Sequence, residues 1–288
     1  MCIRKVFMAI IFALCCLACA ACNDFVFKLF TRVERSKGQF VSLVGIFWFF
    51  TLIGLPRNPE SNIQMTLLWG SISGFFSVSS NILLIEAMTR LSAGICSTIY
   101  RLNMVLVVLG ATIILDEKLT PMQWCGIVSA IVAVLAFLPQ KNASNAEKKS
   151  NMIGFLMVIM AACLRAGMGL SYKYGFLQGA DQNGVAVANS IFWILGGLLY
   201  AFIIERNFKL PDKILLGYGT LSGVLVAGIV FFMAVSLNLG NASIVLPIAQ
   251  MSFIGTLFLS MFFLKEKLDT FKIIAILSGA IAILLLVQ

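Results

Sequence analysis

Ten long apolar segments separated by short polar connections are the feature that most restricts the fold of this chain. A helix needs roughly 20 apolar residues to cross the hydrocarbon layer of a bilayer. The connections hold most of the charges and helix breakers. The pattern therefore predicts an all-α integral membrane protein with ten transmembrane helices. The segments are residues 5–27, 39–56, 64–88, 92–115, 121–139, 152–175, 185–204, 214–238, 241–264 and 270–287.

The composition agrees with a lipid environment. Of 288 residues, 60% are hydrophobic and 11% are charged, whereas soluble domains are about 45–50% apolar and about 25% charged. The net charge of +9 raises the question of nucleic acid binding, but the basic residues lie mostly between the apolar segments, as membrane flanks do. The chain has no histidine, which removes the commonest metal ligand and general base. We therefore expect the chain to lie in a lipid bilayer and not to bind nucleic acid.

An internal repeat divides the chain into two halves. GSISG at 70–74 and GTLSG at 219–223 are 149 residues apart, and the same offset aligns LDEKL at 115–119 with LKEKL at 264–268. We predict a first repeat over 1–139, a linker over 140–151 and a second repeat over 152–288. Five helices in each repeat invert the second copy in the membrane, an arrangement typical of transporters.

The cysteine-rich stretch CCLACAAC at 15–22 has three interpretations. Its spacing copies part of an iron–sulfur loop, and its surroundings resemble a cleaved signal segment. On a helix, however, steps of three residues turn about 300° each, so the cysteines would fan out instead of converging on a metal. The repeat also requires this first helix as the partner of helix 6. We predict no metal or other cofactor, and instead a small-residue surface for close helix packing, made by Ala18, Cys19, Ala21 and Cys22.

Two arginines lie deep inside predicted helices. Arg101 is about 14 Å into helix 4 and Arg165 about 20 Å into helix 6, at 1.5 Å per residue. An arginine near the midplane costs at least about 2.5–3.5 kcal/mol and almost always faces a cavity or a partner. The functional interpretation is that both bind a carboxylate or phosphate with their forked donors. The alternative is an internal salt bridge, for instance between Arg101 and Glu86, that only holds helices 3 and 4 together.

Further polar residues complete the predicted site. The repeat aligns Arg101 with Gln250 in helix 9, so that one half offers a cation and the other an amide. With no histidine in the chain, Glu86 and Asp24 are the candidates for coupling transport to protons. The full set of predicted substrate-binding residues is Arg101, Arg165, Tyr100, Gln250, Asn81, Glu86 and Lys173.

The ten helices, the five-plus-five repeat and the motifs Glu117-Lys118-Leu119 and Glu266-Lys267-Leu268 resemble the drug/metabolite transporter superfamily, and within it the EamA-type ten-helix transporters. The resemblance covers nearly the whole chain. It implies export or exchange of a small metabolite through a central cavity, without a bound cofactor, by a multi-pass protein of the cell (inner or cytoplasmic) membrane. The two glutamates also lie where carboxylates cap a following helix or pair with lysine.

We therefore expect a transporter, not an enzyme, that moves a small polar metabolite by alternating access between the repeats. The substrate is expected to be anionic or zwitterionic, such as an amino acid. Alternatives are a lipid-linked sugar flippase or a non-catalytic membrane subunit of the same fold. An integral-membrane enzyme fits less well, because it would need acid or histidine clusters at the membrane surface. The sequence carries no signal for an oligomeric state.

The distribution of charge predicts an orientation. The connections after helices 1, 3, 5, 7 and 9 hold about fourteen of the Lys and Arg residues, and the positive-inside rule then places both termini outside the cytoplasm. The family resemblance implies the opposite orientation.

Overall fold

A computed structural model describes residues 2–55, 58–115, 119–136, 145–207, 209–239, 242–265 and 270–286, and these residues form helices and short connections without strands. The predicted all-α class is confirmed. The first half contains α1 Cys2–Thr31, α2 Lys37–Leu52, α3 Ile63–Arg90, α4 Ala93–Arg101, α5 Asn103–Leu115 and α6 Pro121–Ala136. The second half contains α7 Asn145–Leu177, α8 Gln182–Leu199 with a following π-helical turn Tyr200–Ile204, α9 Lys213–Leu239, α10 Ala242–Gln250, α11 Ser252–Leu264 and α12 Thr270–Leu286.

The ten predicted apolar segments all coincide with helices. Within the described residues, six stretches are long and apolar enough to cross a membrane, and they are Lys5–Thr31, Ile63–Arg90, Ala93–Gly110, Lys149–Leu177, Gln182–Ile204 and Lys213–Ser236. Four shorter apolar helices supply the remainder, and they are Lys37–Leu52, Pro121–Ala136, Ile248–Leu264 and Lys272–Leu286. α7 begins at Asn145, inside the predicted linker, whose residues 140–144 lie outside the described residues, as do Glu117 and Glu266.

Two predicted helices are each divided in the structure, one into α4 and α5 and the other into α10 and α11. The dividing residues are Leu102, with φ −71° and ψ 2°, and Met251, with φ −73° and ψ 8°. Leu102 N–H donates to Ile99 O and Met251 N–H donates to Ile248 O, at 3.2 Å in both cases. Such i→i+3 bonds form a tight 3₁₀ turn. Because Leu102 and Met251 are related by the repeat offset, both halves contain the same break.

The helix packing follows the repeat. The six helices of the first half, α1 to α6, correspond in order to α7 to α12 of the second half, so that α1 corresponds to α7 and α3 to α9. α1 packs against α9 as α7 packs against α3, and α2 packs against α9 as α8 packs against α3. Two helices also pack against their own counterparts in the other half, α2 against α8 and α6 against α12. The main interfaces therefore join one half to the other around a pseudo-twofold axis, as in an inverted-repeat membrane protein.

The two ends of the bundle differ in charge. Successive membrane helices run in opposite directions, so the connections alternate between the ends. We call the end with the connections α1–α2, α3–α4, α6–α7, α8–α9 and α11–α12 the basic end, and the end with both termini the terminal end. The predicted concentration of Lys and Arg falls at the basic end.

Small residues on α1 allow two other helices to come close. The Cys19 Sγ lies 3.0 Å from the position that a Cβ on Gly228 of α9 would take, and the Ala21 Cβ lies 2.7 Å from that of Gly255 on α11. The Cys16 thiol also donates to Ile229 O at 3.5 Å. These contacts agree with the small-residue surface predicted for the cysteine-rich stretch.

Replacing Gly197 by Ala should destabilise the fold, because α2 and α8 meet there backbone to backbone. A Cβ on Gly197 would lie 2.5 Å from Ser42 N and 2.6 Å from Gly38 O, and neither backbone atom can move aside without shifting its helix. Overpacking of this kind costs about 1–3 kcal/mol. Thermal unfolding of the purified protein measures the loss.

Gly217 is the matched control, since it lies in α9 and a Cβ there meets nothing within 4 Å. Gly217→Ala should leave stability unchanged or raise it by up to about 1 kcal/mol, the helix preference of Ala over Gly. Equal effects of the two substitutions would mean that the α2–α8 contact is not close.

Candidate functional site

An ion pair between α4 and α1 lies inside the bundle. The Arg101 Nη2 donates to Asp24 Oδ2 at 3.2 Å, and the two side chains are 12% and 4% exposed. The predicted apolar segment 5–27 puts Asp24 three residues from the end of its helix, but α1 continues to Thr31. Asp24 therefore lies about 10 Å inside the helix at 1.5 Å per residue. This depth, with the adjacent guanidinium, makes the carboxylate part of the buried site.

The salt bridge considered between Arg101 and Glu86 does not form. The Glu86 Oε1 instead accepts from Lys37 Nζ and from the Tyr200 hydroxyl, both at 2.7 Å. Glu86 is four residues from the end of α3, about 6 Å, whereas Arg101 is eight residues from the start of α4, about 12 Å. The difference in depth separates them, and Glu86 belongs to a cluster at the basic end instead of the arginine site.

Arg165 on α7 has no carboxylate partner among the described residues, whose only ion pairs are those of Lys37 with Glu86 and of Arg101 with Asp24. Its Nη1 lies 3.2 Å from the Met168 Sδ, a weak acceptor. Its side chain is partly exposed. Among the described residues, the site thus holds a guanidinium that forms no hydrogen bond to an oxygen acceptor.

Tyr100 positions the two guanidinium groups relative to each other. The central carbons of Arg101 and Arg165 each lie 5.9 Å from the centroid of its ring, within the range of cation–π attraction. The Tyr100 hydroxyl lies 3.2 Å from Ser80 Oγ, which donates to Ala161 O at 2.7 Å. These contacts connect α3, α4 and α7 and hold the buried ring in place.

Buried polar atoms without a hydrogen-bond partner lie beside both helix breaks. In the described part of the chain they include Arg101 Nε before the first break, and Gln250 Oε1 and Ser252 Oγ on either side of the second. Gln250 is the counterpart of Arg101 in the repeat. A buried polar group left unpaired costs about 1–3 kcal/mol. The two breaks therefore carry one donor and two oxygen atoms that the described part of the chain leaves unpaired.

The remaining predicted site residues are Asn81 and Lys173. Asn81 is buried, but its amide donates to Ser77 O of the same helix at 2.9 Å. Lys173 is exposed, and it follows Arg165 by eight residues, or about 12 Å along α7. The structure thus brings together Arg101, Arg165, Tyr100 and Asp24, and it places Gln250 at the corresponding break. Glu86 and Lys173 lie nearer the two ends of the bundle, and the role predicted for Asn81 stays a prediction.

Sequence reasoning missed a polar pair beside Asp24. The Ser222 hydroxyl on α9 donates to Asn23 Oδ1 at 2.6 Å, and both side chains are buried. The signal was present, because Ser222 is the serine of the repeated motif GTLSG. That motif served only to align the halves. Its position in the buried α1–α9 interface was not recognised.

Comparisons with known proteins agree with this architecture. The model of the EamA-like transporter family matches residues 7–138 and 152–288, one match in each half. A solved crystal structure of a protein is similar with a TM-score of 0.59 and 15% sequence identity, over 97% of this chain and 94% of that chain. At this identity the likeness concerns the fold. No curated protein matches the sequence.

Proposed function

The chain belongs to the EamA-like transporter family, and from that premise we propose that it carries a small anionic or zwitterionic metabolite, such as an amino acid, by alternating access. Membrane transport follows from the family and the apolar helices. The substrate class is our proposal, and the observation that carries it is Arg165, a guanidinium inside the bundle without a carboxylate partner among the described residues.

The balance of charge favours an anionic group. Arg101 and Arg165 contribute two positive charges, and the carboxylate of Asp24, paired with Arg101, offsets one of them. A substrate carboxylate beside Arg165 would neutralise the remaining charge. It would also accept two parallel hydrogen bonds from the planar guanidinium, the geometry that makes such pairs strong.

A second group on the substrate would meet the other break. Gln250 Oε1 and Ser252 Oγ are unpaired oxygen atoms, and both can accept a hydrogen bond from an ammonium or hydroxyl group. A molecule with a carboxylate at one end and a donor at the other would satisfy both halves of the site. This arrangement supports a zwitterion over a simple anion.

The two breaks are suited to the conformational change. Leu102 and Met251 directly follow Arg101 and Gln250, so a small rotation at either turn would reorient a residue of the site. In inverted repeats the two copies exchange conformations as the site opens to one side and then to the other.

We place proton coupling at Asp24, since its protonation would release Arg101. Glu86, the other predicted coupling residue, lies with Lys37 at the basic end.

A thermal-shift screen of the purified protein tests the substrate class. Amino acids and other carboxylates should raise the unfolding temperature, since a ligand at a hundred times its Kd stabilises the folded state by about 2.7 kcal/mol. Neutral sugars of similar size are the matched comparison. Hits are then tested for uptake into proteoliposomes. Stabilisation by lipid-linked sugars alone would favour the flippase alternative and contradict the proposal.

The orientation is tested with single cysteines at the two ends, in a background without native cysteines. We propose the cell (inner or cytoplasmic) membrane, with the basic end in the cytoplasm and both termini outside, following the positive-inside rule. Lys5 and Lys149 are both exposed and lie at opposite ends. In intact cells an impermeant thiol reagent should modify Lys5→Cys and spare Lys149→Cys. The reverse pattern would contradict this orientation.

A further inference from the structure

The packing departs from the repeat symmetry at one place. α1 packs against α3 near the basic end, where both helices terminate. The corresponding helices of the second half are α7 and α9, and both of them end at the terminal end of the bundle. Along their described residues α7 and α9 make no comparable contact. The structure is therefore closed between these helices at the basic end and not at the terminal end.

Lys28 makes the closing contact. Its Nζ donates to Met88 O and to Leu91 O, each at 2.7 Å, and the Thr31 hydroxyl lies 3.4 Å from Met88 O. α3 ends at Arg90, so these carbonyls belong to its last turn and the residue that follows it. The last carbonyls of a helix lack partners within the helix and carry its negative dipole end, so they attract a cation.

The contact lies directly over the candidate site. Lys28 follows Asp24 by four residues, which places both on one face of α1 about 6 Å apart along the helix. On the other helix, Met88 follows Ser80 by eight residues, and Ser80 contacts Tyr100. The Lys28 contact thus joins the helix that carries Asp24 to the helix that supports Tyr100. Along α1 it lies between Asp24 and the basic end.

Lys173 is the residue of the second half that corresponds to Lys28. Between α1 and α7 the offset is 145 residues, as the starts of the two family matches at 7 and 152 indicate, and not the 149 residues of the later helices. The packing agrees, because Phe30 contacts Tyr218 on α9 and Gly175, 145 residues later, contacts Trp69, the counterpart of Tyr218 on α3. Lys28 is three residues before the end of α1 and Lys173 four residues before the end of α7. The repeat offset aligns Met88 with Leu237, in the last turn of α9. Lys173 therefore lies on α7 where Lys28 lies on α1.

We propose that Lys28 and Lys173 are alternating closing residues of the transport cycle. In the state described here, Lys28 binds the end of α3 and closes the basic end. In the opposite state, α1 leaves α3 and α7 approaches α9, and Lys173 binds the last carbonyls of α9 to close the terminal end. This inference rests on the proposed alternating access, and it assigns Lys173 to the terminal closure instead of the substrate.

The test measures access to the site from each end. Met168→Cys, beside Arg165, serves as reporter in a protein whose native cysteines are replaced, and a charged thiol reagent is added to either side of reconstituted vesicles. With both lysines present, the reporter should react mainly from the terminal end. Lys28→Met should increase the rate from the basic end at least about tenfold by shifting the population of states.

Lys173→Met is the matched variant, and it should have the opposite effect. Without the terminal closure the state described here gains population, so reaction from the terminal end should rise and reaction from the basic end should fall. Lys28→Arg keeps a cation that can reach the carbonyls, and it should behave as the parent protein does. If Lys28→Met folds poorly, the shorter Lys28→Gln should give an intermediate shift.

Unchanged rates in Lys28→Met, or changes in the same direction in both Met variants, would overturn the inference. Because the measurement needs no substrate, its outcome is separate from that of the transport assay. Opposite shifts in the two variants without uptake of any carboxylate would retain the closing residues and reject the substrate class. Carboxylate uptake with unchanged reporter rates in both variants would support the substrate class and reject Lys28 and Lys173 as closing residues.

Discussion

Arg101→Gln should lower the free energy of unfolding by about 3–5 kcal/mol, the cost of breaking a buried ion pair from one side. The substitution leaves the Asp24 carboxylate, which is only 4% exposed, without its guanidinium partner. The double variant Arg101→Gln with Asp24→Asn should recover most of the loss, because two neutral amides can pair where a lone charge cannot. Thermal unfolding of the two single variants, the double variant and the wild type gives the coupling between the residues.

Glu86 provides the control for this cycle. Glu86→Gln, alone or combined with Arg101→Gln, removes a carboxylate that contacts Lys37 and Tyr200 instead of Arg101. It should therefore fail to rescue Arg101→Gln. Rescue by Glu86→Gln and not by Asp24→Asn would mean that Arg101 pairs with Glu86 in the folded protein, and that the ion pair described here is wrong.

Arg165→Gln should weaken substrate binding by about 10–100-fold, since a hydrogen bond to a charged group contributes about 1.5–3 kcal/mol. It should lower stability less than Arg101→Gln does, because among the described residues no carboxylate lies within ion-pair distance of Arg165. The substrate affinity of Arg165→Lys should lie between those of the wild type and Arg165→Gln, because lysine keeps the charge and loses the planar pair of donors. Binding and concentration-dependent uptake in proteoliposomes measure these effects, with a stabilising carboxylate as substrate.

The exposed Lys149 supplies the matched control, since Lys149→Gln removes the same charge at the basic end and should leave affinity unchanged. Normal substrate affinity in Arg165→Gln would contradict the proposed site. So would an equal loss of stability in Arg165→Gln and Arg101→Gln, because of the two arginines it is Arg101 that lies within ion-pair distance of Asp24.

The sequence treated these two arginines alike, and the structure separates them. Both were predicted from depth in a helix, and depth follows from counting residues in an apolar segment. The difference between them depends on Asp24, which is 77 residues from Arg101 in the chain. Its distance from the helix end was underestimated, because the apolar segment predicted to stop at 27 continues as helix to Thr31.

At the helix breaks, too, the sequence predicted one feature and only the structure revealed another. The repeat offset correctly identified Arg101 and Gln250 as counterparts. It did not reveal that each directly precedes a 3₁₀ turn, because Leu102 and Met251 are ordinary helix formers and nothing in their side chains signals a stop. The turn is a property of backbone hydrogen bonds in the packed bundle. Polar atoms left unpaired beside these turns can be found only once burial is known.

The sequence by itself determined the ten apolar helices, their division into two related halves and the position of two arginines well inside apolar helices. These features follow from apolar patterning and repeat spacing, which are properties of position along the chain. Tertiary structure decided which charges meet, because Asp24, Arg101 and Arg165 come from three helices whose neighbours are set by side-chain packing. It also decided which end is closed. Lys28 and Lys173 hold equivalent places in two similar halves, so only the packing of α1 on α3 distinguishes the state that the protein adopts here.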